Sequence, residues 1–267
     1  MTKTENGRMI SPALDVGLVP QDFDVMLAFY QEGLGMPRLE DMNFADIRLT
    51  RFGAGQGIVK FNQSPSAPEK LTSGLHESRG MKLLTIVVPD LEATSASLVK
   101  AGFDALSIED HTHYTLAFTH DPNNTMVELV GAPDFCDGAV LNAVGLTVND
   151  ADATRSFLTN VLGFEAGKSE ELPTLGTTKH EFVAGDTTLK VWQLDDLPAE
   201  TGDIQDYSGI RYLTAVVDSI DAVLTRARDA GRTIAFEPAD IAPGVQIAIV
   251  EDPDGNWFEL VELSATN

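Results

Sequence analysis

The sequence predicts an α+β fold made of four copies of one strand–helix–strands unit, and three internal echoes carry that prediction. "DPDGNWFEL" (252–260) is matched by "DPNNTMVEL" (121–129), each a tight turn feeding a short strand with one glutamate between apolar neighbours. "GMKLLTIVVPDLEATSASLVKAGF" (80–103) is matched by "GIRYLTAVVDSIDAVLTRARDAGR" (209–232). "DVGLVPQDFDVMLAFYQEGLGM" (15–36) is matched by "AVGLTVNDADATRSFLTNVLGF" (143–164). The offsets agree closely enough to mean one duplicated half.

Each unit opens with an apolar strand and then a helix. In the first helix Phe23, Met26, Leu27, Tyr30 and Leu34 recur at helical spacing, and in the third Ala153, Phe157, Leu158, Val161 and Leu162 do so. Asp22, Asp90, Asp150 and Ser219 are natural N-caps, because their side chains can accept from the unpaired amides of the first turn. Gly35, Gly102, Gly163 and Gly231 mark the helix ends. β-rich segments follow, closing on "GIVKF" (57–61), "MVELV" (126–130), "TLKVW" (188–192) and "FELVE" (258–262). The modules span 12–64, 80–132, 140–195 and 208–264. Polar loops at 62–80 and 193–209 join them within each half, and "GAPDFCDGA" (131–139) joins the halves. A lone module leaves strand edges and a sheet face uncovered, so modules are expected to pair.

Composition narrows the function classes. Of 267 residues, 41 are acidic and 18 basic, a net charge of −23 that disfavours nucleic acid and anionic membrane as partners. No apolar run reaches membrane-spanning length, and "MTKTENGRMISPALD" lacks the apolar core of a signal peptide. Cys136 is the only cysteine, so no internal disulfide can form. These features predict a cytoplasmic protein, monomer or homodimer, with a small-molecule substrate or ligand. Phosphate-loop, nucleophile-elbow, cysteine-cluster and dinucleotide-glycine motifs are absent. "FGAGQG" (52–57) matches "FVAGDT" (182–187) and reads as a hairpin turn.

Four βαβββ modules, the "D…FY…LGM" and "D…FL…LGF" openings and the "DPDGNWFEL" ending resemble the vicinal oxygen chelate superfamily. That superfamily holds glyoxalases, bleomycin-resistance proteins, extradiol dioxygenases, epimerases and fosfomycin-resistance enzymes. The resemblance implies modules paired into two cupped-sheet domains. The expectation is one domain over 1–132 and a second over 138–267, each closing its own cup. It also implies metal ligands: a histidine on the first strand of a module and a glutamate on the last. The glutamate positions fall on Lys60, Glu128, Lys190 and Glu259, and the histidine positions on Asp15, Leu83, Ala143 and Tyr212. A lysine ammonium repels a cation, and no imidazole stands at these positions. The expectation is therefore no metal and no cofactor, with a lysine supplying the positive charge.

On this reading Asp15, Lys60 and Glu128 are the catalytic candidates of the first cup. Lys190, Trp192, Tyr212 and Glu259 line the second as substrate-binding residues. Lys60 would stabilise a developing oxyanion, and Asp15 or Glu128 would take a proton. The reaction expected is proton abstraction of lyase or isomerase type on a small oxygenated or aromatic metabolite. Three alternatives stay open. One is a metal-free binding protein of the bleomycin-resistance type. A second is a metal-dependent dioxygenase or lyase with non-standard ligands, for which His111 and His113 with Glu128 would be a set. The third is a pair of relic salt bridges with no chemistry.

Overall fold

The computed structural model describes residues 6–44, 47–63, 66–173, 176–200 and 202–264. The N-terminal stretch expected to lack a signal peptide, residues 1–15, lies partly outside them. The first module comprises β1 (Asp15–Val19), α1 (Phe23–Leu27), β2 (Met42–Phe44), β3 (Ile47–Ala54) and β4 (Gly57–Gln63). The second comprises β5 (Gly80–Val88), α2 (Leu91–Lys100), β6 (Glu109–Asp110), β7 (Thr115–His120) and β8 (Met126–Gly131). The third comprises β9 (Val140–Val148), α3 (Ala151–Ser156), β10 (Glu165–Leu172), β11 (Thr177–Ala184) and β12 (Thr187–Gln193). The fourth comprises β13 (Gly209–Val217), α4 (Ile220–Asp229), β14 (Ile234–Ala242), β15 (Val245–Glu251) and β16 (Trp257–Leu263). All four expected N-caps bond first-turn amides through their side chains. α1 and α3 each run on as a π-helical turn, Ala28–Gly33 and Phe157–Val161, so the repeat extends to this irregularity. No helix among the described residues is long and apolar enough to cross a membrane.

The strands form two eight-stranded sheets, and their composition corrects the expected pairing. One runs β14-β15-β16-β13-β1-β4-β3-β2 and the other β10-β11-β12-β9-β5-β8-β7-β6. Module 1 thus shares a sheet with module 4, and module 2 with module 3. The seams are antiparallel, with Asp15 opposite Thr214 on β1–β13 and Thr85 opposite Ala143 on β5–β9. Consecutive modules meet instead through their helices. The Phe29 ring lies edge-on to Phe103 at 5.2 Å, and a Cβ on Gly33 would meet Leu98 at 2.5 Å. Arg226 Nε, on α4, donates to the Val161 carbonyl at 2.8 Å. With helix faces joining neighbours along the chain, β1 is left to pair with the far end of the chain.

Alternation sorts each strand into two faces. Val16, Leu18, Val59, Phe61, Leu213, Ala215, Phe258 and Leu260 are buried in the core. The opposite, concave face of the same strands carries Asp15, Lys60, Thr214 and Glu259. The two inter-module loops clasp each other. Ser208 N donates to the Lys70 carbonyl at 2.8 Å, and Glu200 accepts from Thr72 Oγ1 and Ser73 N, each at 2.7 Å, and from Lys82 Nζ.

Candidate active site

The register places a lysine, a threonine and a glutamate side by side in each sheet. On β13–β16 Thr214 lies beside Glu259, and on β1–β4 Gly17 lies beside Lys60. Lys60 Nζ reaches across the seam to Thr214 Oγ1 at 2.5 Å and Glu259 Oε2 at 3.2 Å, while Thr214 donates to Glu259 at 2.5 Å. The other sheet repeats this. Lys190 Nζ donates to Thr85 Oγ1 at 2.9 Å and to Glu128, and Thr85 donates to Glu128 at 2.5 Å. These contacts replace the expected partners: Lys60 meets Glu259, not Glu128, and Lys190 meets Glu128, not Glu259. The cause is the crossed pairing of modules. Glu128 therefore leaves the set around Asp15 and Lys60, and Glu259 enters it. Tyr212 also changes cups. Its ring lies 5.2 Å from Lys60 Nζ, and Asn62 Nδ2 donates to its hydroxyl at 3.0 Å. Only glycine fits at position 17, because a Cβ there would overlap the Tyr212 ring.

Thr85 and Thr214 were missed in the sequence. Their signal was present: "LLT" and "YLT" put a threonine two residues after each vacant histidine position, on the same strand face.

The cup of modules 1 and 4 holds a third charge. Asp15 Oδ2 lies 3.6 Å from Lys60 Nζ, and its Oδ1 accepts from Ile58 N at 3.0 Å. Burial raises the Asp15 carboxyl above its ordinary 3.8, against the lowering pull of Lys60, and the Glu259 charge adds to the rise. Burial alone would lower Lys60, but the negative groups around it, Glu259 foremost, outweigh that and hold the ammonium protonated. Burial pushes the Tyr212 hydroxyl up to about 12. Glu259 is bound by two donors, whereas Asp15 has only a backbone amide and a distant ammonium. Asp15 is the carboxylate with capacity to spare. Further along the same concave face stand half-buried apolar side chains: Ile249 opposite Glu259, Ile247 opposite Val261, and Trp257 beside Tyr212.

The cup of modules 2 and 3 carries an apolar cluster beside its triad. Trp192 lies across Gly145 and packs with Leu83 and Leu75, with Met126 and Leu194 against them. Leu75 comes from the loop between β4 and β5, and Thr147 Oγ1 holds its carbonyl at 3.1 Å. Ala143 stands where the first cup has Asp15.

The superfamily resemblance implies a metal at these positions, and the donor set does not fit one. Each glutamate faces an ammonium and a hydroxyl. No group of three or more His, Cys, Asp or Glu side chains suited to a metal occurs among the described residues. His111 stacks on Tyr114 at 4.6 Å in the β6–β7 turn at the sheet edge, so it does not join Glu128.

Comparison with known proteins agrees with this architecture. The model of the "Glyoxalase/Bleomycin resistance protein/Dioxygenase superfamily" matches residues 14–129 and 140–260. The crystal structure of glyoxalase I from Zea mays superposes with a TM-score of 0.72 at 19% identity, over 97% of this chain and 94% of that one. The cppA protein from Streptococcus pneumoniae superposes at 0.54 with 12% identity, over 97% and 99%. At such identities these structures speak to the fold alone. No curated protein matches the chain. Two family matches, together covering most of the chain, and four βαβββ modules in two curled sheets lead to one conclusion: the chain belongs to the glyoxalase/bleomycin-resistance/dioxygenase, or vicinal oxygen chelate, superfamily.

Proposed function

We propose that this protein is an enzyme that abstracts a proton next to a carbonyl of a small metabolite, in the cup of modules 1 and 4, by a lyase- or isomerase-type reaction. The observation that carries the reading is the Asp15–Lys60 pair: a carboxylate with spare acceptor capacity 3.6 Å from a locked ammonium. The substrate carbonyl oxygen lies against Lys60 Nζ. Asp15 Oδ2 takes the proton from the adjacent carbon, and the C–H electron pair moves into the new C=C bond. The negative charge that develops on oxygen meets an ammonium already oriented by Thr214 and Glu259. Asp15 then returns the proton to the same or a neighbouring carbon. A carboxylate whose proton affinity burial raises above its ordinary value suits this step better than a free aspartate. The second cup, with alanine at the base position and Trp192 and Leu75 packed inside, serves structure.

The test is solvent deuterium exchange into a panel of small keto and hydroxy compounds, followed by proton NMR. Exchange by the wild type, lost in Asp15→Asn and Lys60→Met variants that still melt cooperatively, is the expected result. Ligand binding without exchange for every compound, unaltered in Asp15→Asn, would instead indicate a sequestering protein.

A further inference from the structure

In an antiparallel ladder, directly opposed residues share a face, so Arg51, opposite Lys60, lies on the concave face beside it. Two like charges in direct opposition destabilise a sheet. Lys60 offsets this with the carboxylates of Glu259 and Asp15. Arg51 has no such counter-charge: among the described residues its one hydrogen bond is from Nε to the Glu40 carbonyl, at 2.9 Å, and no carboxylate pairs with it. The nearby Arg38 and Arg48 are both engaged by Asp41. The η nitrogens of this half-buried residue are thus left to an acceptor from outside. The second cup shows the contrast. Glu181 stands opposite Lys190, where a cross-strand pair should have opposite charges, and it is further held by Lys179 at 3.3 Å. One repeat position therefore carries a positive charge in the cup of modules 1 and 4 and a negative one in the cup of modules 2 and 3.

We propose that Arg51 is a specificity-determining residue that binds a carboxylate, and that the substrate is a small oxo- or hydroxy-carboxylate. The substrate carboxylate takes both η nitrogens, a geometry that guanidinium matches and ammonium does not. The neighbouring oxygen then falls to Lys60 on the adjacent strand. This assignment rests on the proposed reaction only for the role of that oxygen. Anion recognition by Arg51 is tested separately.

Oxalate and its neutral analogue oxamide are suitable probes, since they share shape and differ in charge. Calorimetry should show oxalate binding the wild type at least tenfold more tightly than oxamide. Arg51→Met should reduce oxalate affinity at least tenfold, Arg51→Lys should restore part of it, and Glu181→Gln should leave it within twofold. Circular dichroism checks that each variant is folded. Equal binding of the two probes, no oxalate binding at all, or unchanged affinity in Arg51→Met overturns the assignment. If the oxalate pattern holds while no compound exchanges protons, Arg51 recognition stands and the proton-abstraction reading falls. If neutral ketones exchange with Asp15 dependence and Arg51→Met does not matter, the reverse holds.

Discussion

The two cups share a lysine, a threonine and a glutamate in the same geometry, yet they differ at the residues beside that triad. The first cup has Asp15, Arg51 and Tyr212 where the second has Ala143, Glu181 and Leu83. Duplication produced two equal frames. Substitution then left one with unpaired charge and half-buried walls, and the other with balanced charge and an apolar plug. The triad alone is thus a structural unit that closes the seam of each sheet. The proposed reactivity rests on the extra groups.

Four experiments break or sharpen this contrast. The largest effect expected is that of Asp15→Asn, which removes the proposed base and should reduce proton exchange by about a hundred- to ten-thousandfold. Single-turnover exchange rates would check this, and a rate within a factor of a few of wild type would place the base elsewhere. Next is the plug. Trp192→Ala should cost about 3–5 kcal/mol in urea unfolding without changing exchange, because the indole is core in its cup. Loss of exchange in that variant, with the fold intact, would show that the second cup is the working one.

The two lysines come third. Lys60→Met leaves two carboxylates without a counter-ion in a site where the lysine is 8% exposed. It should cost about 3 kcal/mol, near the value for a broken buried pair. Lys190→Met strands only Glu128, at a site where both partners are 17% exposed, and solvent screening should hold the loss to about 1–2 kcal/mol. Equal losses would mean that Asp15 is not coupled to Lys60.

The smallest effect separates the turns beneath the two glutamates. Burial pushes the carboxyl of Asp121, before β8, up to about 6, and that of Asp252, before β16, up to about 7. Asp121 accepts a hydrogen bond from the Tyr30 hydroxyl at 2.8 Å, which lowers it, and among the described residues Asp252 has no such partner from another module. A carboxyl raised on folding favours the folded state when protonated. That contribution is full below the ordinary 3.8 and is lost as pH climbs through the folded value. Melting temperature should therefore fall by a few degrees between about pH 4 and pH 7. Asp252→Asn should flatten the upper part of that fall and Asp121→Asn the lower. A curve that rises through this range would contradict both shifts.

The repeat, the caps and the four glutamate positions were legible in the sequence because each rests on local chemistry: helix spacing, an N-cap oxygen, strand alternation. Module pairing was not. A duplicated chain satisfies its own symmetry equally well whether module 1 meets module 2 or module 4. The deciding contacts are helix-on-helix, such as Phe29 with Phe103, which periodicity does not reveal. The swap of Glu128 for Glu259 beside Lys60 follows from that one ambiguity. Thr85 and Thr214 lay in plain view but belong to no metal-ligand pattern, and a search framed by ligands passes over hydroxyls. Arg51 became visible only once the ladder set it opposite Lys60. Leu75 is a loop residue, and no strand or helix rule could have placed it over Trp192.

The crossed pairing also sets the order in which a nascent chain can finish itself. Lys190 and Glu128 are separated by 62 residues, so the inner sheet can close while the last module is still in the ribosome. Lys60 and Glu259 are separated by 199 residues, and the seam strand β1 must wait for β13. Until then the first module carries an unpaired apolar edge through most of synthesis, the state in which strands recruit wrong partners. The cup proposed to be reactive is thus assembled last, around a sheet already complete.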